Sequence, residues 1–135
     1  MAVQWNRGLT EQVRQAVNRE IVVQTEGVRN EAIRLILDTP KTGRLYKKRG
    51  GKMHQASAPG EPPASDYGRL VNSIRTDYDL QASIGTVTAS TKYAAGLEYG
   101  TARMAARPFM RTALSNRHEE IIAGIQGAVR AALGE

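Results

Sequence analysis

Between Leu9 and Leu37 the apolar residues recur as Leu9, Val13, Val17, Ile21, Val28, Ala32, Leu35 and Ile36. Steps of three, four and seven place them on one face of a helix. At 1.5 Å per residue that helix is about 40 Å long. Its stripe must be covered by other elements, which fixes the long axis of the fold. Asn6 or Thr10 is placed to cap its start. "DTPKTG" ends it, because Pro40 disfavours helical geometry at Thr39. Gly27 lies inside and reads as a tolerated glycine in preference to a bend or a point of close packing.

A second stripe closes the chain. Pro108 suits a first helical position. Met110, Leu114, His118, Ile121, Ile122, Ile125, Val129, Ala132 and Leu133 then follow on one side. Gly124 and Gly127 weaken this helix by about 1 kcal/mol each relative to Ala. They read as points of close backbone packing.

The pattern between the two helices is different. "SIRTDYDL" and "ASIGTVTAST" alternate and are rich in β-branched residues, which predicts two antiparallel strands joined near "DLQA". Ser65 and Asp66 are placed to cap a short helix through "YGRLVNSI". "KYAAGLEYG" reads as one or two helical turns ended by Gly100. The expected fold is α+β: two long helices packed on a small antiparallel sheet. At 135 residues the chain reads as a single domain, 1–135, with an arm at about 41–64. Aromatics make up 5% of the chain, so the core must be mainly aliphatic. Cysteine is absent, which removes disulfides and thiolate chemistry. "MAVQWNRGLTEQ" lacks the apolar region of a secretory leader, and no run approaches a membrane span. A soluble protein with no membrane partner is expected.

The net charge of +6 has an address. Lys41, Arg44, Lys47, Lys48, Arg49 and Lys52 lie within twelve positions, and no acid appears between Asp38 and Glu61. The remaining thirteen basic residues balance the thirteen acids. A concentrated basic patch points to a polyanion or an acidic protein surface, or to a solvated arm that keeps the chain soluble. Gly50-Gly51 divides the segment into two runs of similar length, a two-residue hairpin signal. Leu45, Lys47 and Arg49 would face one side of that hairpin, with Tyr46 and Lys48 on the other. Neither face is apolar enough to be buried in its own monomer, and an isolated hairpin is marginal in water. The hairpin is therefore expected to be mobile in the free protein and ordered only against a partner, and to project from the body. Leu45, Tyr46 and Met53 would give a partner apolar handholds among the cations. "SAPGEPPAS" is a proline-stiffened return to the body.

Catalytic chemistry finds little support. His54 and His118 lack ligand-like spacing. Ser57, His54 and Asp66 match no nucleophile-elbow sequence. Glu119 and Glu120 are adjacent on a helix and point different ways. No glycine arrangement forms a phosphate-binding loop. The chain is expected to be no enzyme and to use no cofactor or metal. A stand-alone nucleic-acid-binding module using the basic hairpin is the alternative function. Such a binder is expected to offer stacking aromatics or a recognition helix, and only Tyr46 lies within the basic run.

Two stretches, "HQASAPGEPPASDYGRLVNSI" and "YAAGLEYGTARMAARPFMRTAL", together resemble the head–tail joining proteins of long-tailed bacteriophages, also called neck or tail-completion proteins. The likeness lies in "ASAPGEPPA" followed by "GRLVNSI", and in the "YA..LEYGT..M.ARPFM..AL" run. The basic hairpin precedes them, as it does in that family. "DYGRL" stands where members often have a Thr-Gly-Leu-type sequence. The resemblance implies a small α+β virion subunit, assembled in the host cytoplasm. It implies a closed ring, sixfold in the family, at the head–tail junction. Its implied partners are itself, the head connector or stopper proteins, the tail terminator or tail tube proteins, and the genome DNA passing through the lumen. Arm residues Lys41, Arg44, Leu45, Tyr46, Lys47, Lys48, Arg49, Lys52 and Met53 are then expected to touch a subunit or line the DNA channel. Tyr99, Arg103, Met104 and Arg107 are expected at a subunit interface, where aromatic, Met and Arg residues are enriched. Phe109 in the same run is expected in the core.

Overall fold

The computed structural model describes residues 6–64 and 68–135. The described elements are α1 (Arg7–Asp38), β1 (Leu45–Lys47), β2 (Met53–Gln55), α2 (Arg69–Asn72), β3 (Ile74–Asp79), β4 (Ile84–Ala89), α3 (Ala94–Tyr99) and α4 (Met110–Ala132). This is the expected α+β architecture, with two long helices and a small antiparallel sheet, β3–β4. The arm β1–β2 forms a separate two-stranded sheet. No described helix is long and apolar enough to cross a membrane. The expected cap at Ser65 and Asp66 lies outside the described residues.

Asn6 begins α1 by accepting the Leu9 N–H on its side-chain oxygen at 3.0 Å. Thr39, held extended before Pro40, ends it. Helix α4 runs antiparallel along α1. Arg117 donates to Gln24 at 3.2 Å, and Asn116 donates to Glu31 at 3.2 Å.

The core gathers at one end of this helix pair. Val28, Ala32, Leu35 and Ile36 of α1 meet Leu70, Ile74, Ala94, Phe109 and Ala113. Phe109, Ile36 and Ile74 are the largest side chains buried completely. Each contributes about 2 kcal/mol by leaving water. The other half of the α1 stripe, Leu9, Val13 and Val17, is only half-buried. On α4 the expected stripe is too broad: Leu114, Ile122 and Leu133 are exposed. The reason is that α4 packs chiefly on a single neighbour, α1, which covers a narrow seam.

The sheet crosses α1 with Ile74 opposite Ala89 and Asp79 opposite Ile84. Its inner face is fastened by Glu26, which accepts from Thr76 Oγ1 at 2.7 Å and Tyr78 Oη at 2.6 Å. Asn18 donates to the Leu80 carbonyl at 2.8 Å and accepts from Ser83 Oγ at 2.8 Å, fixing the turn of the hairpin. Gly85 lets β4 lie directly on α1. A Cβ there would overlap Thr25 Oγ1 and stand 3.0 Å from Thr25 Cβ and 3.2 Å from Ile21 Cγ2. Gly85→Ala is expected to cost about 2 kcal/mol by overpacking. The urea midpoint measures it, and an unchanged midpoint contradicts this close approach.

Other glycines change their reading. Gly27 sits under the Arg117 guanidinium, so it marks a helix–helix contact rather than mere tolerance. Gly124 packs against the side chains of Glu20 and Gln24 rather than against a backbone, and Gly127 faces open space and marks no contact. Pro108 precedes α4 by two positions instead of opening it, and Phe109 occupies the N-cap.

Candidate functional site

The arm is held at its base and open at its tip. Gly43 N–H donates to the Ala56 carbonyl at 2.9 Å, and Ala56 N–H to the Arg44 carbonyl at 3.0 Å. Glu61 closes the base from the other side. Its carboxylate accepts from Thr42 N–H at 3.0 Å, Ala58 N–H at 2.8 Å and the Thr42 hydroxyl. The Ala58 N–H, aided by the two Thr42 donors, lowers the Glu61 pKa to about 2. One acid in an otherwise basic segment thus staples the arm to its return.

The register of the hairpin corrects the sequence expectation. Leu45 faces Gln55, Tyr46 faces His54, Lys47 faces Met53, and Lys48 N–H donates to the Lys52 carbonyl at 2.7 Å. The connection is therefore three residues, Arg49 to Gly51, and not Gly50-Gly51 alone. Both glycines have φ above +90° (99° and 91°), which a side chain would strain, so the extra residue is accommodated there.

The register sorts the side chains onto two faces. Tyr46 and His54 share one face, with ring centroids 5.2 Å apart and planes at 61°. They overlook a cleft of about 320 Å³ whose far wall includes Leu70, Tyr93, Leu97 and Arg107. Leu45, Lys47, Met53 and Gln55 share the opposite face. Leu45 and Met53 are 54% and 57% exposed, unusual for residues of this type in paired strands. Arg44, Arg49 and Lys52 are exposed and Lys48 is half-buried. Lys41 stands apart from these. Its ammonium donates to the Leu35 carbonyl at 2.9 Å, completing the C-terminus of α1, and burial lowers its pKa.

The "LEYGTARMAARPFM" run lies against the arm's base. Gly60 N–H donates to the Ala106 carbonyl at 3.0 Å, and Arg107 Nη1 donates to Ser57 Oγ at 3.2 Å. Two stretches about fifty residues apart thereby form one surface. Within the run, Thr101 and Met104 pair across a tight turn, with Arg103 exposed at its tip and Met104 half-buried. Tyr99 is 70% exposed, and the Arg111 guanidinium stands 4.9 Å from its ring centroid. Arg107 is half-buried and bonded inward, so its role within the chain is to join the run to the arm. Phe109 is core, as expected.

Glu98 organises this run, and sequence reasoning missed it. Its carboxylate is buried at the start of α4 and accepts from Phe109 N–H at 2.8 Å, Met110 N–H at 2.9 Å and Arg111 N–H at 2.8 Å. Arg111 Nε adds a charged contact at 3.0 Å. The acid supplies the cap that Phe109 cannot. Burial pushes its pKa up, but the three N–H groups and Arg111 outweigh burial and hold it below its ordinary value. Nothing in the local sequence marks this acid, which stands twelve positions before the first residue of α4.

Among the described residues, His54 and Ser57 are turned to other partners. The His54 ring packs on Tyr46, Ser57 Oγ accepts from Arg107, and Asp66 lies outside the described residues. His118, Glu119 and Glu120 are exposed on α4, with Glu120 paired to Arg117. Among the described residues no group of three or more His, Cys, Asp or Glu side chains is placed to hold a metal ion.

The chain matches no protein-family model, no curated protein and no solved structure.

Proposed function

We propose that this chain is a structural subunit of the neck of a long-tailed bacteriophage, forming a closed ring that joins the DNA-filled head to the tail. The observation that carries the reading is the arm. It is built rigidly at its base, yet presents Leu45, Met53 and a cluster of cations outward, away from any core of its own. A chain that orders such a hairpin only to expose it needs a partner to cover it. The resemblance of the flanking motifs names the setting, with head connector or stopper proteins on one side and tail terminator or tail tube proteins on the other. It also gives the sixfold symmetry. Head-to-tail contacts between copies close such a ring, and genome DNA passes through its lumen. The chain acts here by binding, without catalysis or cofactor.

A stand-alone nucleic-acid binder fits the geometry less well. Tyr46 packs edge-on against His54 over the cleft, which occupies the one aromatic within the basic run. Protein contact is the arm's main role in this reading.

The test begins at the exposed turn of the Arg-rich run. Arg103→Ala with Met104→Ala is expected to leave the fold intact, because Arg103 is exposed and Met104 only half-buried. In a phage that encodes the chain, filled heads and free tails should accumulate separately, and infectious yield should fall at least about tenfold, equivalent to about 1.4 kcal/mol of lost association. Unchanged yield removes this turn from the interface.

A further inference from the structure

The cleft of about 320 Å³ between the arm and the body carries charge of one sign. Its charged residues are Arg69 and Arg107, and among the described residues no acid lines it. Glu61 and Glu98 lie in the two segments that meet here, but both are engaged elsewhere, by the Ala58 and Phe109 N–H groups. The floor of the cleft is apolar: Leu70 and Pro63 are buried, and Leu97 packs against the core. Tyr46 and Tyr93 stand at its rim, 39% and 48% exposed.

Arg107 is incompletely satisfied in this setting. Its backbone N–H donates to the Leu97 carbonyl at 2.6 Å, and its Nη1 donates to Ser57 Oγ at 3.2 Å. Its Nε is buried and has no acceptor among the described residues. A buried donor left unpaired costs about 1–3 kcal/mol, more when its group is charged, so native structures hold few of them. The missing partner has a definite shape. The fork of N–H groups on a guanidinium matches the two oxygens of a carboxylate.

We infer that this cleft is a socket for an Asp or Glu side chain of a partner protein, with Arg107 as its anchor. A small change in the Arg107 torsions turns the Nε edge to the entering carboxylate. The second arginine of the lining adds to the attraction, and no acid of the lining opposes it. The methylene stem of the acid, and an apolar residue beside it, lie on Leu70 and Leu97. A phosphodiester fits less well, because it carries a sugar on each side and cannot lower its charge into so small a recess. Arm and body form opposite walls, so a bound acid also holds the arm in place. The inference extends the neck reading by giving the subunit a site for protein contact, and it does not depend on a ring.

The Nε–H of an arginine gives its own signal in a nitrogen-15 correlation spectrum, so the site can be read directly. The labelled chain is titrated to millimolar concentration with acetyl-Leu-Asp-Leu-amide, with the Asn counterpart of that peptide, and with a thymidine octanucleotide. The Asp peptide is expected to move the Arg107 Nε–H signal and the amides of Ser57, Tyr93 and Leu97. It should bind at least about tenfold more tightly than the Asn peptide, as loss of one charge-assisted bond implies. Arg107→Lys keeps the charge but loses the fork, and should remove that preference. Arg107 also ties the run to the arm, so Tyr93→Glu supplies a second variant. It places a fixed acid at a half-exposed rim position and should abolish binding of the Asp peptide. Circular dichroism checks the fold of both variants. Equal binding of the two peptides, or an Nε–H signal that no peptide moves, overturns the inference. An octanucleotide that moves the same signals at lower concentration assigns the cleft to nucleic acid and overturns it as well. The titration uses the free chain and the neck reading is tested on particles, so failure of one is distinct from failure of the other.

Discussion

Glu98→Ala is expected to destabilise the fold by about 3 kcal/mol, more than any other single polar substitution considered for this chain. The figure combines a lost N-cap, typically about 1 kcal/mol, with the cost of leaving buried N–H groups unpaired, about 1–3 kcal/mol. The donors of Phe109, Met110 and Arg111 have no substitute once the carboxylate is gone. For a domain of this size the thermal midpoint should drop by roughly 10 °C. Glu98→Gln keeps one acceptor oxygen and loses the charge, so about half the effect is expected. The dependence on pH gives a second readout. The folded pKa of Glu98 is below its ordinary 4.5, so its stabilisation is fully present above the unfolded value and is lost as pH falls through the folded one. Stability of the native protein and of Glu98→Gln should therefore converge in acid. Urea unfolding at pH 7 and pH 3 measures the gap. A gap of the same size at both pH values contradicts a charged cap.

Replacing Lys47, Lys48 and Arg49 together with Ser is expected to abolish most head–tail joining, with circular dichroism checking that the arm's loss of charge leaves the fold in place. The triplet surrounds the tip of the arm, and in the proposed ring its repetition would make a strongly positive belt. Mutual repulsion within the belt is relieved by acidic protein or by DNA, and salt screens it. The two partners are separable. If protein is the partner, joining falls for emptied and filled heads alike, and salt weakens assembly in the absence of DNA. If DNA is the partner, the defect is confined to filled heads and affinity falls steeply with salt, because bound phosphates release counterions. The account expects the first pattern. No defect with either kind of head would return the arm to a solvated loop.

Much of this architecture is legible in the sequence because it depends on local periodicity. The stripes of α1 and α4, the alternation in β3 and β4, and the stop at Gly100 all appear as patterns within single elements. What was not legible depends on neighbours. Leu114, Ile122 and Leu133 share a stripe with buried residues, yet only packing decides how wide a seam α1 covers. Glu98 and Glu61 work across chain separations of eleven to nineteen residues, and nothing in their immediate context marks them. The arm's slip by one residue turns on backbone conformation at Gly50 and Gly51, which composition signals without specifying the register. The candidate surface follows the same rule. Arm and Arg-rich run each stood out alone, while Arg107 and Ser57, which join them, did not.

The most direct measurement is an image reconstruction of an assembled particle from a phage that encodes this chain, at a resolution that places the subunit. The account predicts several copies in a closed ring between head connector and tail, each with its Leu45–Met53 arm face against a neighbouring subunit. A particle that lacks the chain, or that holds it as a single copy without self-contact, would contradict the account.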